Sequence, residues 1–463
     1  MLKISNHYVS KVVSILLLIE ITTLFLVGCL GINLRFIGER SWGQNVDNFF
    51  LSNGVVMLSI AMGMSAAGMY QRNIDENLRS TFLRLMPSFG IALILLLLIF
   101  YAAPSLYLGR GVLLIIFALA GVSILVIRAI FFKLVTSRVL ASPLLFLGSS
   151  DLVMDCIATA RNNIRNHKYN ILGSIPVPEE QSELTPDMLV EPAGTLLETA
   201  RKYGAEEIVV AVQNRRGGNL RIQELLECKM NGVRVIDVAG FFEREACQIR
   251  LDSLHPSWLV FGNGFDQSLI RTFVKRSFDI LISAVMLPLL SPIMLGAMLC
   301  IWIEDRGPVF YLQERVGKNG ESFMVMKFRS MRTDAEKAGK PQWASDNDPR
   351  VTRVGNIMRK FRIDELPQLF NVLRGDMSFV GPRPERPFFV KQFCEEIVFY
   401  NVRHSVKPGI TGWAQVRYKY GASKDDAVQK LQYDLYYVKN NSLFLDLLIL
   451  IDTLSVVIFG AGT

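Results

Sequence analysis

Four long apolar stretches occupy the first third of this 463-residue chain. Each is close to the roughly 20 residues that a helix needs to cross a bilayer. They run from Val12 to Ile32, Phe49 to Met69, Leu85 to Ala103 and Val112 to Phe132. The first stretch lacks a small-residue cleavage site and three others follow it, so we interpret it as a retained helix rather than a signal peptide. The pattern predicts a four-helix transmembrane bundle over residues 1–140.

Basic residues flank these stretches unevenly. Eight are predicted to lie on one side of the membrane: Lys3, Lys11, Arg72, Arg79, Arg84, Arg128, Lys133 and Arg138. Three are predicted on the other: Arg35, Arg40 and Arg110. Because Lys and Arg are enriched in cytoplasmic loops, the first side is predicted to be cytoplasmic. An even number of crossings then leaves everything after the bundle in the cytoplasm.

Glu20 lies inside the first apolar stretch. A carboxylate at membrane depth is costly and is often an ion or proton site. With no partner evident in the sequence, we expect it to pack inside the bundle or to pair with a lipid headgroup.

Residues 141–240 have the pattern of a soluble α/β domain. Short apolar runs alternate with segments of helical period, which predicts a parallel sheet and a Rossmann-like domain. The first strand ends in Gly148-Ser-Ser-Asp151 and lacks the G-x-G-x-x-G turn that lets a backbone approach a pyrophosphate. A structural or regulatory domain is therefore favoured over a dinucleotide site. Residues 241–265 are interpreted as a linker.

A fifth apolar segment, residues 278–303, is long enough to span the membrane but has basic residues at both ends. Pro288 and the pair Ser291-Pro292 lie near its middle, where a proline removes a backbone hydrogen bond and bends a helix. The alternatives are a kinked fifth span and a segment that enters and leaves on one face. Ser291 is expected to bond a carbonyl that the bend sets free.

The remainder of the chain is basic. Residues 306–419 contain 21 Lys and Arg against 12 Asp and Glu, which suits diphosphates and anionic lipid headgroups. No nucleic-acid-binding fold is recognisable, so no nucleic acid is expected. The six cysteines form no C-x-x-C pair, which is typical of reduced cytoplasmic thiols. A last apolar segment, Leu443 to Phe459, carries two aspartates and is interpreted as an interfacial helix.

Three sequence blocks carry the chemistry: GPVFYLQERVG (Gly307 to Gly317), KFRSM (Lys327 to Met331) and RKFRIDELPQLFNVLRGDMSFVGPRPERP (Arg359 to Pro387). Together they resemble the bacterial polyprenyl-phosphate hexose-1-phosphate transferases, which load a sugar phosphate onto undecaprenyl phosphate. The resemblance covers residues 266–463 and implies a mostly helical catalytic domain. It also implies that residues 278–303 form a re-entrant helix broken at Ser291-Pro292, and that the enzyme sits in the bacterial inner membrane facing the cytoplasm.

The resemblance assigns roles to particular residues. Asp364 matches the nucleophile and Glu365 the metal-associated carboxylate, and both would hold Mg²⁺. Arg359 and Arg383 match phosphate-binding positions, and the prolines on either side of Arg383 would fix its backbone. Two further residues, Lys327 and Arg329, match basic positions near the same pocket. Arg362-Ile363 replaces the more common Ser-Leu, which puts local helix capping in doubt.

The implied reaction moves a sugar 1-phosphate from a UDP-sugar to undecaprenyl phosphate through an aspartyl intermediate and releases UMP. Glucose or galactose is expected as the sugar, with an N-acetylated sugar as the open alternative, and a homodimer is plausible for large members of the family. Two other classes stay open. Tyr420 and Lys424 spell the Y-x-x-x-K of short-chain reductases, as in a nucleotide-sugar dehydratase, and a basic surface alone would also suit a non-catalytic scaffold.

Overall fold

The computed structural model describes residues 2–9, 11–35, 48–70, 77–136, 141–162, 169–177, 184–212, 221–252, 264–265, 268–335, 348–418, 421 and 423–459. It divides the chain into two compact units. One comprises residues 1–2 and 8–247, and the other residues 3–7 and 248–463. Two three-residue strands, β1 (Leu2–Ile4) and β2 (His7–Val9), precede the first helix.

The first unit contains four long apolar helices, as the sequence predicts: α1 (Lys11–Arg35), α2 (Phe49–Ala66), α3 (Leu78–Ala102) and α4 (Arg110–Thr136). They pack around a shared apolar core that includes Leu24, Ile60, Leu96 and Ile116. Helix α3 begins seven residues before its apolar stretch because Asn77 and Ser80 form a capping box. Arg40, Arg72 and Arg138, used above for orientation, lie outside the described residues.

Glu20 is fully buried within this bundle. Its Oε1 accepts a hydrogen bond of 2.7 Å from Arg128 Nε, and its Oε2 accepts one from the Tyr70 hydroxyl. Of the two expected environments, packing inside the bundle is confirmed. Arg128, assigned from sequence as a cytoplasmic flank, is the buried partner of Glu20.

A four-stranded parallel sheet completes the first unit. Its strands are β3 (Ser142–Leu147), β4 (Tyr169–Ile175), β5 (Glu207–Val210) and β6 (Arg234–Asp237), in the order β4-β3-β5-β6. Four helices accompany them: α5 (Asp151–Asn162), α6 (Leu196–Tyr203), α7 (Ile222–Met230) and α8 (Val238–Glu245). Helices α6 and α7 pack in one apolar core and α5 and α8 in another, so both faces of the sheet are covered.

The strand order reverses between β3 and β5, the position where open α/β sheets bind ligands. At this position the ends of β3 and β5 are in direct contact, because Ala211 N donates to Leu147 O at 2.8 Å. Gly148 has φ +130°, and a Cβ on it would stand 2.5 Å from the Ala211 carbonyl oxygen. The glycine therefore serves close backbone packing. The structural or regulatory role of the domain stays a prediction.

The expected linker begins later than the sequence indicates. Phe241 and Phe242 belong to α8 and are buried in the α/β core, so the helix continues to Glu245. Of the remaining linker, residues 253–263 lie outside the described part of the chain.

The second unit is mostly helical, as expected. Its first helix, α9 (Leu269–Asp305), is followed by an antiparallel hairpin of β7 (Phe310–Val316) and β8 (Ser322–Phe328). Then come α10 (Arg353–Lys360), α11 (Gln368–Arg374), β9 (Ser378–Val380), α12 (Pro387–Glu396), β10 (Gly409–Thr411), α13 (Trp413–Arg417), α14 (Lys424–Asn440) and α15 (Leu443–Phe459). Strands β9 and β10 pair in parallel.

Helix α9 has 37 residues and runs without interruption through Pro288 and Pro292, where the sequence led us to expect a break. It also begins nine residues before the predicted segment. Pro292 has no N–H for the carbonyl of Pro288, and the Ser291 hydroxyl donates to that carbonyl at 2.8 Å. The expected repair by Ser291 is confirmed, and it helps the helix to continue.

Among the described residues, α1 to α4 and α9 are long and apolar enough to cross a bilayer. The protein is a multi-pass membrane protein. That α9 dips into one leaflet, rather than crossing the bilayer, stays a prediction.

Candidate active site

Asp364 and Glu365 lie on a single 3₁₀ turn, Ile363–Glu365, between α10 and α11. Arg362 precedes the turn in the left-handed conformation, with φ 58°, and no side chain caps the turn. A non-glycine residue in this conformation is strained and is found preferentially at functional sites. The doubt about local capping is thus confirmed, and the strained backbone presents two adjacent buried carboxylates.

Glu365 is surrounded by cations. Its Oε1 accepts a hydrogen bond from Arg383 Nη2 at 2.7 Å, and Lys327 Nζ lies 3.4 Å from the same oxygen. Arg362 Nη1 is 3.8 Å away. Although burial acts in the opposite sense, these positive charges hold the pKa of Glu365 well below its usual range. Glu365 is therefore a stably ionised carboxylate.

Asp364 has a different environment. It is 8% exposed, and its Oδ1 is buried without a hydrogen-bond partner. Burial, and next the charge of Glu365, raises the pKa of Asp364, whereas Lys327, Arg359 and Arg383 oppose the rise. An unpaired buried carboxylate oxygen costs free energy, so its presence requires an explanation. The arrangement leaves one oxygen available to an incoming group.

Lys327 reaches the carboxylates from the end of β8. The Asn371 side chain of α11 fixes that strand by accepting from Met326 N at 2.9 Å and donating to Met324 O at 2.7 Å. Burial lowers the pKa of Lys327, and the nearby Glu365 opposes that effect.

The other two predicted basic residues differ from each other. Arg359, at the end of α10, donates from Nε to Ser330 Oγ at 3.0 Å and lowers the pKa of Asp364 through its charge. Arg329 is 7% exposed and forms a salt bridge with Asp305, at the end of α9. The structure brings Lys327, Arg359 and Arg383 to the carboxylates, while the ion pair of Arg329 lies at the end of the long helix.

A pocket of about 560 Å³ is lined by Arg362 and Arg383, the two arginines that also pair with Glu365. Its lining includes the cations Arg362, Arg383, Arg403 and Lys430 and the acids Glu385 and Asp434. Burial raises the pKa of Asp434 to about 6, against the opposing charge of Arg403. Four of these residues, Arg403, Lys430, Glu385 and Asp434, were missed by the sequence analysis. Glu385 lies in the block from Arg359 to Pro387, whereas no motif marks Arg403, Lys430 or Asp434, which reach the pocket only through folding.

The pattern that suggested a reductase finds no support in the described residues. Lys424 begins α14 and pairs with Glu396 at 2.9 Å, and Tyr420 lies outside the described part.

Residues 270–460 match the family model described as "Bacterial sugar transferase". The chain is 47% identical over 238 residues to an Aeromonas hydrophila protein named UDP-N-acetylgalactosamine-undecaprenyl-phosphate N-acetylgalactosaminephosphotransferase, covering 51% of this chain and 55% of that protein. It is 34% identical over 258 residues to the UDP-glucose:undecaprenyl-phosphate glucose-1-phosphate transferase of Escherichia coli K12, covering 54% of each. The chain thus spans about half the length of these two relatives.

A shorter relative is covered more completely. The putative undecaprenyl-phosphate N-acetylgalactosaminyl 1-phosphate transferase of Bacillus subtilis strain 168 is 51% identical over 130 residues, which are 28% of this chain and 72% of that protein. The family-model match, residues 270–460, contains Asp364 and Glu365 together with the cations around them. The chain belongs to the bacterial sugar transferase family.

Proposed function

We propose that this protein transfers a sugar 1-phosphate from a UDP-sugar to undecaprenyl phosphate, releases UMP and so begins an exopolysaccharide repeat unit. The observation that carries the proposal is the contrast within the carboxylate pair. Asp364 has an unpartnered buried oxygen, whereas Glu365 is held by Arg383 and Lys327. A carboxylate nucleophile for phosphorus needs this combination of a free oxygen and nearby positive charge.

In the first step, an Asp364 oxygen forms a bond to the sugar-bearing phosphorus of the UDP-sugar. The bond from that phosphorus to the bridging oxygen breaks, and UMP leaves with the electron pair. In the second step, an oxygen of undecaprenyl phosphate attacks the same phosphorus, and the Asp364 carboxylate leaves. Two displacements at one phosphorus replace an encounter of three partners.

The cations around the pair are suited to this chemistry. Arg383 presents a planar donor group that matches phosphate oxygens, and it lines the pocket and pairs with Glu365. Arg359 and Lys327 lower the pKa of Asp364 and so favour its ionised, attacking form. We assign to all three the binding of the donor diphosphate. Arg329 is retained as a candidate phosphate ligand only if its salt bridge to Asp305 opens.

Asp364 and Glu365 are suited to bind Mg²⁺ together with the substrate. In the described part of the chain, no group of three or more His, Cys, Asp or Glu side chains is arranged to hold a metal, so substrate phosphate oxygens would supply further ligands. Mg²⁺ usually takes one or two carboxylates together with substrate phosphate oxygens. Asp364, whose buried Oδ1 lacks a hydrogen-bond partner, and Glu365 would be those carboxylates. Bound there, the ion would neutralise the charge of the diphosphate.

The sugar is the open part of the proposal. The family resemblance favours glucose or galactose and leaves an N-acetylated sugar open, and the relatives above are named for N-acetylgalactosamine and for glucose. The decisive experiment incubates detergent-solubilised protein with undecaprenyl phosphate, Mg²⁺ and a panel of UDP-sugars, and it identifies the released nucleotide. UMP is the expected product. Release of UDP without UMP would contradict attack at phosphorus.

The location of the reaction can be tested separately. We propose that the catalytic unit faces the cytoplasm from the inner membrane, with both ends of α9 on the cytoplasmic side. Cysteines introduced at Lys275 and Glu304 should then resist a membrane-impermeant maleimide applied from the periplasm. Labelling at either position would contradict the re-entrant arrangement. A homodimer stays a prediction, which the mass of the solubilised particle would test.

A further inference from the structure

The Pro382-Arg383-Pro384-Glu385 turn has an unusual pattern of main-chain contacts. Each of its four consecutive carbonyls accepts a hydrogen bond from a different donor. The donors, in order, are Gly409 N at 3.0 Å, Arg403 Nη2 at 2.8 Å, Arg315 Nη1 at 3.0 Å and Val316 N at 2.9 Å. These donors come from β7, from the 3₁₀ turn Tyr400–Ser405 and from β10. The main chain of the turn is therefore fixed from several directions.

Two of the four donors are arginine side chains, although a main-chain N–H would satisfy a carbonyl as well. Arg403 is 6% exposed, and its Nη2 also lies 2.8 Å from the buried Asp434 Oδ2. Its Nη1 donates to the Tyr400 hydroxyl at 2.6 Å. Burying a guanidinium is costly unless it is paired, and bonds from a charged donor are stronger than neutral ones. The arginines thus hold the turn more rigidly than amides would.

The result of this rigidity is visible at Arg383. Its carbonyl is held by Arg403 and the next carbonyl by Arg315, while buried prolines on both sides restrict the backbone further. From this fixed base the Arg383 side chain reaches Glu365 Oε1 at 2.7 Å.

We propose that Arg403 and Arg315 are positioning residues that hold the turn so that the Arg383 guanidinium faces Glu365 and the phosphates of the donor. Neither residue has to touch substrate for this role. The part that concerns the donor phosphates rests on the function proposed above.

The competing explanation is that these arginines only stabilise the fold. Arg315 allows a cleaner test than Arg403, because its side chain is 17% exposed and its salt-bridge partner Glu385, 3.5 Å away, is also partly exposed at 16%. Arg315→Met keeps the aliphatic stem and removes the donors. A matched control is Arg417→Met, since Arg417 is 21% exposed and its described charge and ring contacts are with Asp452, at 3.3 Å, and Trp413 rather than with the turn.

The experiment is a double-mutant cycle of Arg315→Met with Arg383→Met in the full-length solubilised protein. Two quantities are measured: the affinity for inorganic pyrophosphate with Mg²⁺ by calorimetry, and the kcat/KM of UMP release. Arg315→Met should lower both by about ten-fold or more, as expected when a side chain that binds phosphate is misplaced. In the Arg383→Met background it should have almost no further effect. Arg417→Met should leave both at the wild-type level.

Equal losses from Arg315→Met in both backgrounds, or a similar loss from Arg417→Met, would overturn the proposal. If the wild-type protein releases no UMP, the proposed function fails, but the pyrophosphate cycle still decides the role of Arg315. A wild-type protein that binds no pyrophosphate would refute both.

Arg403 needs a different variant, because Arg403→Met would leave Asp434 buried and unpaired. Arg403→Lys keeps the charge near Asp434 but loses the fork that spans Asp434, Tyr400 and the Arg383 carbonyl. We expect weaker pyrophosphate binding in a protein that stays folded at the assay temperature, with a lower unfolding temperature because two buried hydrogen bonds are lost. Wild-type affinity in this variant would show that Arg403 does not position Arg383.

Discussion

Each unit of the protein contains a buried carboxylate cluster, and the two clusters differ in one respect. In the helical bundle of the first unit, both oxygens of Glu20 accept hydrogen bonds, one from Arg128 and one from Tyr70. In the second unit, Glu365 is paired with Arg383 and Lys327, but the adjacent Asp364 has a buried oxygen without a partner. Since both clusters are buried, burial alone does not distinguish the role of one from the role of the other.

The difference teaches how to distinguish a structural from a reactive carboxylate. A fully bonded cluster recovers the cost of burial and has nothing left for a ligand. An unpartnered buried acceptor costs roughly 1–3 kcal/mol, so it persists where another function requires it. By this criterion Glu20 fixes the bundle, and Asp364 is the candidate nucleophile.

The largest expected effect is that of Asp364→Asn, which should abolish UMP release. The amide preserves the shape of the side chain but cannot form the phosphoester, so binding of the UDP-sugar should survive. Turnover is measured with undecaprenyl phosphate and Mg²⁺, and binding by calorimetry. Residual activity above about a tenth of wild type would exclude Asp364 as the nucleophile. So would a sugar-phosphate adduct found by mass spectrometry on another residue.

Arg383→Met tests the cations around the pair and should lower kcat/KM by roughly 10²–10³-fold, as loss of a donor aimed at developing charge does. It should also change the pH dependence. Asp364 must be ionised to attack, and Arg383 lowers its pKa against the effect of burial. Without Arg383 the pKa of Asp364 rises, so activity should be lost at a higher pH as the medium is acidified.

The control for this pH profile is Arg417→Met, which removes an arginine that pairs with Asp452 and is not among the main charges acting on the pKa of Asp364. Its loss of activity on the acidic side of the pH profile (the acid limb) should coincide with that of the wild-type enzyme. If both variants have the same acid limb as wild type, the limb does not report Asp364.

Glu20→Gln is the opposite case, with a large effect on stability and none on turnover per folded molecule. It breaks the ion pair and leaves Arg128 buried without a counter-charge, which should cost about 3–5 kcal/mol. The double variant Glu20→Leu with Arg128→Leu should recover much of the loss. Unfolding of the solubilised protein measures both. Loss of turnover in the folded Glu20→Gln protein would contradict a purely structural role.

The sequence was sufficient for features that repeat over long windows or lie close together in the chain. The four helices of the bundle follow from the length of the apolar stretches, and the parallel sheet follows from short apolar runs that alternate with segments of helical period. Asp364 and Glu365 could be proposed because one continuous block contains them and Arg383. The start of α9 was placed too late, because Arg271, Lys275 and Arg276 lower the hydropathy of its first turns while Ser268 caps the helix.

Features that depend on contacts between distant residues could not be predicted. Glu20 is separated from Arg128 by 108 positions, so the sequence could not show that a membrane flank is its partner. The same holds for Arg403, whose role depends on the turn that its side chain reaches and on Asp434. The unpartnered oxygen of Asp364 is likewise a property of packing alone.

The smallest expected effect concerns an uncharged pair within α9, in which a hydroxyl satisfies a main-chain carbonyl as Arg128 and Tyr70 satisfy Glu20. Ser291 donates to the Pro288 carbonyl that Pro292 leaves without its usual donor. Ser291→Ala should therefore destabilise the protein by about 1 kcal/mol, the typical net value of one hydrogen bond. In a Pro292→Ala background the new backbone N–H can take over the carbonyl, so the same substitution should cost almost nothing. Thermal unfolding of the four variants measures this coupling. If Ser291→Ala costs the same in both backgrounds, the hydroxyl does not compensate for Pro292, and the continuity of the helix has another cause.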